Sequence, residues 1–233
     1  MDTPAAALSA VLFDVDGTLA DTERDGHRPA FNRAFAEFGL DHRWGVEDYG
    51  RMLEVTGGQR RIERFLAHRG HSDPAGFARV LHRAKTEHFL EWVRSGPVRC
   101  RPGVDDLLAD LRVAGARIGV VTTGWRAWVL PLLDRLFGLG AFEVVVTGDD
   151  VERLKPAPDA YLLALHRLAL DAGAALAVED SPPGLAAARA AGLGCVVVTN
   201  DYTARECFPG AAVVLPSCDG LDAARLLQQV RTA

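Results

Sequence analysis

Two aspartates one residue apart close a short apolar run, Val11-Leu12-Phe13-Asp14-Val15-Asp16, and Gly17-Thr18 follow. Leu8 to Phe13 has the length and composition of a buried strand, and Gly17 breaks it, so both carboxylates stand where a strand stops. Side chains at i and i+2 leave a strand on the same face, which aims Asp14 and Asp16 at one spot and turns Val15 into the core. Two anions held that close need a cation, a shared proton or a division of labour between them. An acidic turn left to solvent is the other outcome of the same spacing. The choice depends on what stands at equivalent places farther along the chain.

Three later apolar runs end in residues that suit phosphate chemistry. Ile118-Gly119-Val120-Val121 leads into Thr122-Thr123-Gly124, which offers hydroxyls and backbone N–H groups where a loop enters a helix, a geometry suited to phosphate oxygens. After the next strand, Lys155-Pro156-Ala157-Pro158-Asp159 puts a cation on a loop stiffened by two prolines. Val178 is followed by Glu179-Asp180, a second acidic pair. Acidic pairs from two separate strands are what a hard divalent cation needs, and Mg²⁺ takes one or two carboxylates together with water and substrate phosphate.

The elements that must carry these residues fall into two patterns. From His27 to Arg94 the sequence reads as helices, over His27 to Phe38, Val46 to Leu53, Arg60 to Arg69 and Asp73 to Arg94, the last opened by an Asp-Pro start. Beyond the breaks at Ser95-Gly96-Pro97 and Pro102-Gly103, strands alternate with helices. Strands are expected at Arg117 to Thr122, Phe142 to Val146, Ala175 to Val178, Cys195 to Val198 and Ala212 to Leu215. The expected helices are Val104 to Ala114, Ala127 to Leu136, Pro158 to Leu168, Gly184 to Ala191 and a last one from about Asp219. Continuous apolar strands separated by helices predict an α/β fold with a doubly wound parallel sheet, whose ligands gather at the carboxyl ends of the strands.

A net charge of −5 over 233 residues does not favour nucleic acid or anionic lipid as partners, and 48% hydrophobic content suffices for a large core. The opening Met1-Asp2-Thr3-Pro4 lacks a basic segment and the apolar run after it is too short for a signal peptide or a membrane span. A cytoplasmic protein with no nucleic-acid or membrane partner is expected. Cys100, Cys195, Cys207 and Cys218 form no C-x-x-C and no cluster with histidine, in keeping with reduced thiols.

Taken in order, Asp14-Val15-Asp16-Gly17-Thr18, Thr122, Lys155 and Glu179-Asp180 resemble the four motifs of the haloacid dehalogenase superfamily of phosphohydrolases. The resemblance implies a Rossmann-like core of residues 1–21 and 98–233 and an inserted α-helical cap of residues 22–97. It implies that Asp14 attacks phosphorus to give an aspartyl-phosphate while Asp16 acts as general acid and then general base. Mg²⁺ would be held by Asp14, the backbone carbonyl of Asp16, and Asp180, with Thr122, Thr123 and Lys155 on the phosphate oxygens. Glu179 would orient Lys155 or take a metal-bound water.

The segments Ala20 to Arg28, Val55-Thr56-Gly57-Gly58 and His82 to Thr86 are similar to the CbbY group, sugar phosphatases that act on xylulose-1,5-bisphosphate. A small phosphorylated sugar, a pentulose bisphosphate, is the substrate this implies, with Glu23, His27, Arg28, Thr56, Gly57, Gly58, Arg61 and Lys85 on the cap side. Glycines at a helix start let an anion approach free N–H groups and guanidiniums can fork a phosphate, although a solvated basic helix face fits the same residues. Gln59-Arg60-Arg61-Ile62 departs from the group's Lys-Glu-Arg-Ile, and Trp125 and Trp128 stand where small hydroxyl residues, a proline and an asparagine are usual. A β-phosphoglucomutase-like phosphomutase or a phosphoglycolate-type phosphatase would share the first half-reaction. A receiver-like signalling domain also combines Asp, Thr and Lys on such a sheet but has no use for the helical block. A monomer is expected.

Overall fold

A computed structural model describes residues 9–55 and 57–226. The chain divides into two compact units, one of Met1–Asp21 with Arg99–Ala233 and the other of Thr22–Val98. The first is built on a six-stranded sheet of β1 (Ala10–Phe13), β2 (Arg117–Val121), β3 (Val144–Val146), β4 (Ala175–Glu179), β5 (Gly194–Val198) and β6 (Val213–Leu215). The strand order is β3-β2-β1-β4-β5-β6 and every neighbouring pair is parallel. All residues of β1 and β4 are buried, as expected of central strands covered on both faces, and β6 at one edge is partly exposed. Chain order reverses between β1 and β4, the point at which doubly wound sheets bind their ligands. Phe13 pairs with both Val120 and Val178, so the residues that follow these strands emerge side by side.

The second unit holds α1 (Arg28–Glu37), α2 (Val46–Met52), α3 (Gly58–His68) and α4 (Pro74–Ser95). Asp73 caps α4 through Gly76 N at 2.9 Å, as the Asp-Pro start predicts. A wide π-helical turn over Thr22–His27 leads into α1, which periodicity alone does not reveal. Gly26 makes room for it, because a Cβ there would lie 2.6 Å from the Trp92 ring and 2.7 Å from Phe89. Phe31, Phe35, Trp44 and Tyr49 form the buried centre of this unit. Phe35 meets Trp44 edge to face at 4.7 Å between ring centroids.

The sheet is flanked in sequence by α5 (Val104–Val113), α6 (Arg126–Phe137), α7 (Asp159–Leu168) and α8 (Pro182–Ala190). Helix α8 begins two residues earlier than expected, because Pro182 and Pro183 occupy first-turn positions that need no N–H donor while Ser181 Oγ accepts from Gly184 N at 3.2 Å. Strand β3 starts at Val144 and not at Phe142. The expected last helix is described only to Leu226, and the rest of it, like Leu8 and the first residues, lies outside the described residues. Among the described residues no helix is long and apolar enough to cross a membrane.

Candidate active site

At the carboxyl ends of β1 and β4, Asp14, Glu179 and Asp180 are buried with carboxylate oxygens within 4.8 Å of one another. Lys155 enters from the loop before α7 and uses all three of its donors there: Asp14 Oδ1 at 2.6 Å, Glu179 Oε1 at 2.6 Å and the Val121 carbonyl at 2.8 Å. Tyr161 OH, from α7, donates to the same Glu179 Oε1 at 2.6 Å. The other oxygen, Oε2, has no hydrogen-bond partner among the described residues and lies where a Cβ on Gly184 would be, 1.9 Å away. Glu179 therefore touches Lys155 directly and fixes where its ammonium sits.

Three buried carboxylates face one ammonium, and the imbalance appears in the acidities of Asp14 and Asp180. Burial raises Asp14 to about 8 despite the Lys155 contact, with Glu179 and Asp16 pushing the same way. Asp180 is also held well above the usual carboxylate range, by burial and then by Asp14 and Glu179. Burial acts to lower Lys155, but Asp14 and Glu179 outweigh it and keep the ammonium charged. A divalent cation would relieve this excess of negative charge, and hard oxygen donors suit Mg²⁺. The carboxylate of Asp16 is not part of the three-residue group, leaving its backbone carbonyl as the donor expected from this residue.

The loop after β2 is braced from the end of β3. Thr122 Oγ1 accepts from Gly124 N at 3.0 Å, and Gly148 N donates to Gly124 O at 2.8 Å. Arg126, at the start of α6, pairs with Asp150 at 2.7 Å. Burial works against ionisation of Asp150, yet the Thr147 N–H and hydroxyl, Arg167 and Arg126 hold it down at about 2. Thr123 is half-buried beside Thr122. The two tryptophans part company: Trp125 is 59% exposed, whereas Trp128 is buried against Gly124.

The helical unit carries its own charged cluster. Tyr49 OH donates to Glu23, and Arg61 donates to Tyr49 OH and to the Met52 carbonyl, each at 2.9 Å. Lys85 Nζ meets His27 Nδ1 at 2.7 Å and lies 4.9 Å from the centroid of Phe31 and 5.0 Å from that of Phe89. Arg61 and Lys85 are buried, whereas Arg60 and Arg64 of the same basic segment are exposed. Gly58 opens α3 against His82, since a Cβ there would lie 3.0 Å from His82 Nε2, and Gly57 holds a φ of 92° that favours glycine. Arg28 donates instead to the Trp44 carbonyl at 3.4 Å. Thr56 lies outside the described residues.

Both histidines of this cluster are kept neutral. Burial lowers His27 well below its ordinary value, helped by Lys85, and burial, Lys85 and Arg61 lower His82 to about 4. The unfolded chain, with His82 near 6.5, binds the proton more tightly than the folded one, so stability is complete above about pH 6.5 and is lost as pH falls towards 4. The drop in melting temperature between pH 7.5 and pH 5 should therefore be smaller in His82→Gln than in the parent. Equal drops in the two proteins would show that His82 does not titrate in this window.

Comparison with known proteins bears on what this arrangement is for. Residues 8–192 match the haloacid dehalogenase-like hydrolase family. The chain belongs to that family. Protein CbbY of Cereibacter sphaeroides is 46% identical over 214 residues, spanning 90% of this chain and 92% of the relative. Hexitol phosphatase A of Escherichia coli is 33% identical over 188 residues, spanning 80% of this chain and 81% of the relative. The crystal structure of a mutant CbbY from Rhodobacter sphaeroides in complex with xylulose-(1,5)bisphosphate superposes with a TM-score of 0.83 at 44% identity. It covers 94% of this chain and 99% of that one. The chain is an enzyme, a phosphatase of the haloacid dehalogenase-like type.

Sequence reasoning did not single out three residues that touch the phosphatase's acidic cluster or its loop. Tyr161 lies in α7 among apolar neighbours and reads as core. Asn200 Nδ2 donates to Asp180 Oδ2 at 2.6 Å, and buried Arg101 donates to the Gly17 carbonyl. Gly17 has a φ of 82°, and a Cβ on it would lie 2.4 Å from Asp180 Oδ2 and 2.5 Å from Asn200 Nδ2. The glycine after the two aspartates thus permits both the turn and the close approach of Asp180.

Proposed function

We propose that this phosphatase is Mg²⁺-dependent and hydrolyses a small sugar bisphosphate, a pentulose bisphosphate such as xylulose-1,5-bisphosphate, through an aspartyl-phosphate. The observation that carries this reading is the buried group of Asp14, Lys155 and Asp180 at the switch point of the sheet. Lys155 fixes the rotation of Asp14 through Oδ1, so the carboxylate is oriented before substrate arrives. Asp14 attacks phosphorus, the bond from phosphorus to the sugar oxygen breaks, and Asp16 gives its proton to that oxygen. Asp16 then takes a proton from water as the water attacks phosphorus, and Asp14 is released with inorganic phosphate. Thr122, Thr123 and Lys155 bind the remaining phosphoryl oxygens. Asp14, the Asp16 carbonyl and Asp180 would hold Mg²⁺, with Glu179 behind Lys155, and the ion would supply neutralisation of the phosphoryl oxygens.

Bisphosphate preference rests on the helical unit. Arg61 and Lys85 are buried cations beside neutral His27 and His82, with Glu23 and Tyr49 adding groups able to bond sugar hydroxyls. A mutant CbbY crystallised in complex with xylulose-(1,5)bisphosphate and a relative named hexitol phosphatase A support the same substrate class. The test is phosphate release with Mg²⁺ across pentose bisphosphates, hexose monophosphates and phosphoglycolate, comparing the parent with Arg61→Met. Loss of one charged hydrogen bond to phosphate, about 1.5–3 kcal/mol, should raise KM for the bisphosphate by roughly 10–100-fold and leave that for monophosphates little changed. A parent enzyme without preference for any bisphosphate would remove the substrate assignment and leave the phosphatase intact.

A further inference from the structure

Asn200, just past β5, is locked at its carbonyl end. Its Oδ1 accepts from Tyr202 N at 2.9 Å and Thr203 N at 3.2 Å, and its own backbone N donates to Thr203 Oγ1 at 3.0 Å. Two backbone donors on Oδ1 decide which end of the amide is oxygen, so the NH₂ group points the other way. There it meets two acceptors, Asp180 Oδ2 at 2.6 Å and the Gly17 carbonyl at 3.4 Å. Arg101 completes a ring through the same atoms. Its guanidinium donates to the Gly17 carbonyl and, at 2.7 Å, to the carbonyl of Thr199 immediately before Asn200. Arg101 N also donates to Leu19 O at 2.9 Å, where Ala20 and Cys100 form an antiparallel bridge.

Asp14 and Asp180 are thus oriented by different means. Asp14 is fixed by a cation, which cancels part of its charge, and Asp180 by a neutral amide, which cannot. A neutral donor orients a carboxylate without competing with a metal ion for its charge, and such outer partners set ligand geometry and affinity.

We propose that Asn200 is a positioning residue that sets Asp180 for Mg²⁺, and that Arg101 holds Asn200 and the Gly17 turn in place for it. This rests on the reading of Asp180 as a Mg²⁺ ligand. Asn200→Ser keeps a side-chain oxygen for the 202–203 turn and removes the amide donor. Its Mg²⁺ dissociation constant, measured by calorimetry without substrate, should rise about 10–100-fold. The metal-free melting temperature should stay that of the parent, and KM for the phosphate ester at saturating Mg²⁺ should not move. Thr203→Ala, which loosens the same turn and leaves the amide, should bind Mg²⁺ as the parent does. Arg101→Lys, whose single nitrogen replaces the fork that spans the Gly17 and Thr199 carbonyls, should show a smaller rise than Asn200→Ser. Parent-like Mg²⁺ affinity in Asn200→Ser, or an equal loss in Thr203→Ala, overturns the role of Asn200, and parent-like affinity in Arg101→Lys overturns that of Arg101. Asp180→Asn separates the two levels: if it too binds Mg²⁺ normally, the assignment of Asp180 as a ligand is what fails.

Discussion

Asp14→Asn should reduce phosphate release by about 10⁴-fold or more, because an amide of the same shape offers no anionic oxygen to phosphorus and the covalent step is lost. The loss should be in kcat, with the folded state intact. Asn retains an oxygen that can accept from Lys155, and it removes one of three buried carboxylates that crowd a single ammonium. Burial places the Asp14 carboxyl at about 8, so at neutral pH the metal-free parent must take up a proton there on folding, a cost that Asn does not carry. The variant should consequently melt at or above the parent without metal and gain less from added Mg²⁺. Phosphate-release assays and thermal scans with and without Mg²⁺ check both halves. Release at the parent rate would exclude Asp14 as nucleophile, whereas a lower metal-free melting temperature would mean that its charge stabilises the fold.

That Asp14, Lys155 and Asp180 come together is legible in the sequence for a definite reason. Asp14 and Asp180 close apolar runs and Lys155 lies in the loop after another, and a parallel sheet brings the ends of such runs to one edge whatever lies between them. Lys155 and Asp14 are 141 residues apart, yet the position of each relative to its strand was enough. Asn200 also stands at a strand end, two residues after Val198, and the same rule applied there would have found it. In the sequence it reads as a turn residue, since Asn-Asp favours turns for local reasons. Tyr161 was hidden differently: it fits the apolar face of α7, and only its hydroxyl, resting on Glu179, has a polar task. In the helical unit, periodicity gave α1 to α4 but not the π-helical turn at Thr22–His27, which sets the spacing of Glu23 and His27. Nor can helical spacing show that Lys85 meets His27, 58 residues away, or that Arg61 turns inward where Arg60 and Arg64 face solvent.

Lys155→Met should damage stability and activity together, and Mg²⁺ should restore only the first. Methionine fills the volume of the lysine stem, so packing beside Tyr161 is largely kept and the change is one of charge. What remains is Asp14 and Glu179, both buried, each having lost a contact of 2.6 Å with the ammonium. Breaking a buried ion pair by removing one partner costs about 3–5 kcal/mol, because the other partner is left charged in a poor dielectric. A metal ion among the same carboxylates supplies positive charge, so millimolar Mg²⁺ should return part of the lost stability in urea titrations. The Val121 carbonyl, which Lys155 also serves, stays without that donor. Activity should not return, because the group that orients Asp14 and meets the phosphoryl oxygens is gone; loss of one preorganised donor of this kind costs about 10²–10³ in kcat. A Lys155→Met protein as stable as the parent without metal would mean that the carboxylates are held by shared protons and not by the ammonium. Full activity at saturating Mg²⁺ would mean that Lys155 only balances charge and neither orients Asp14 nor touches phosphate.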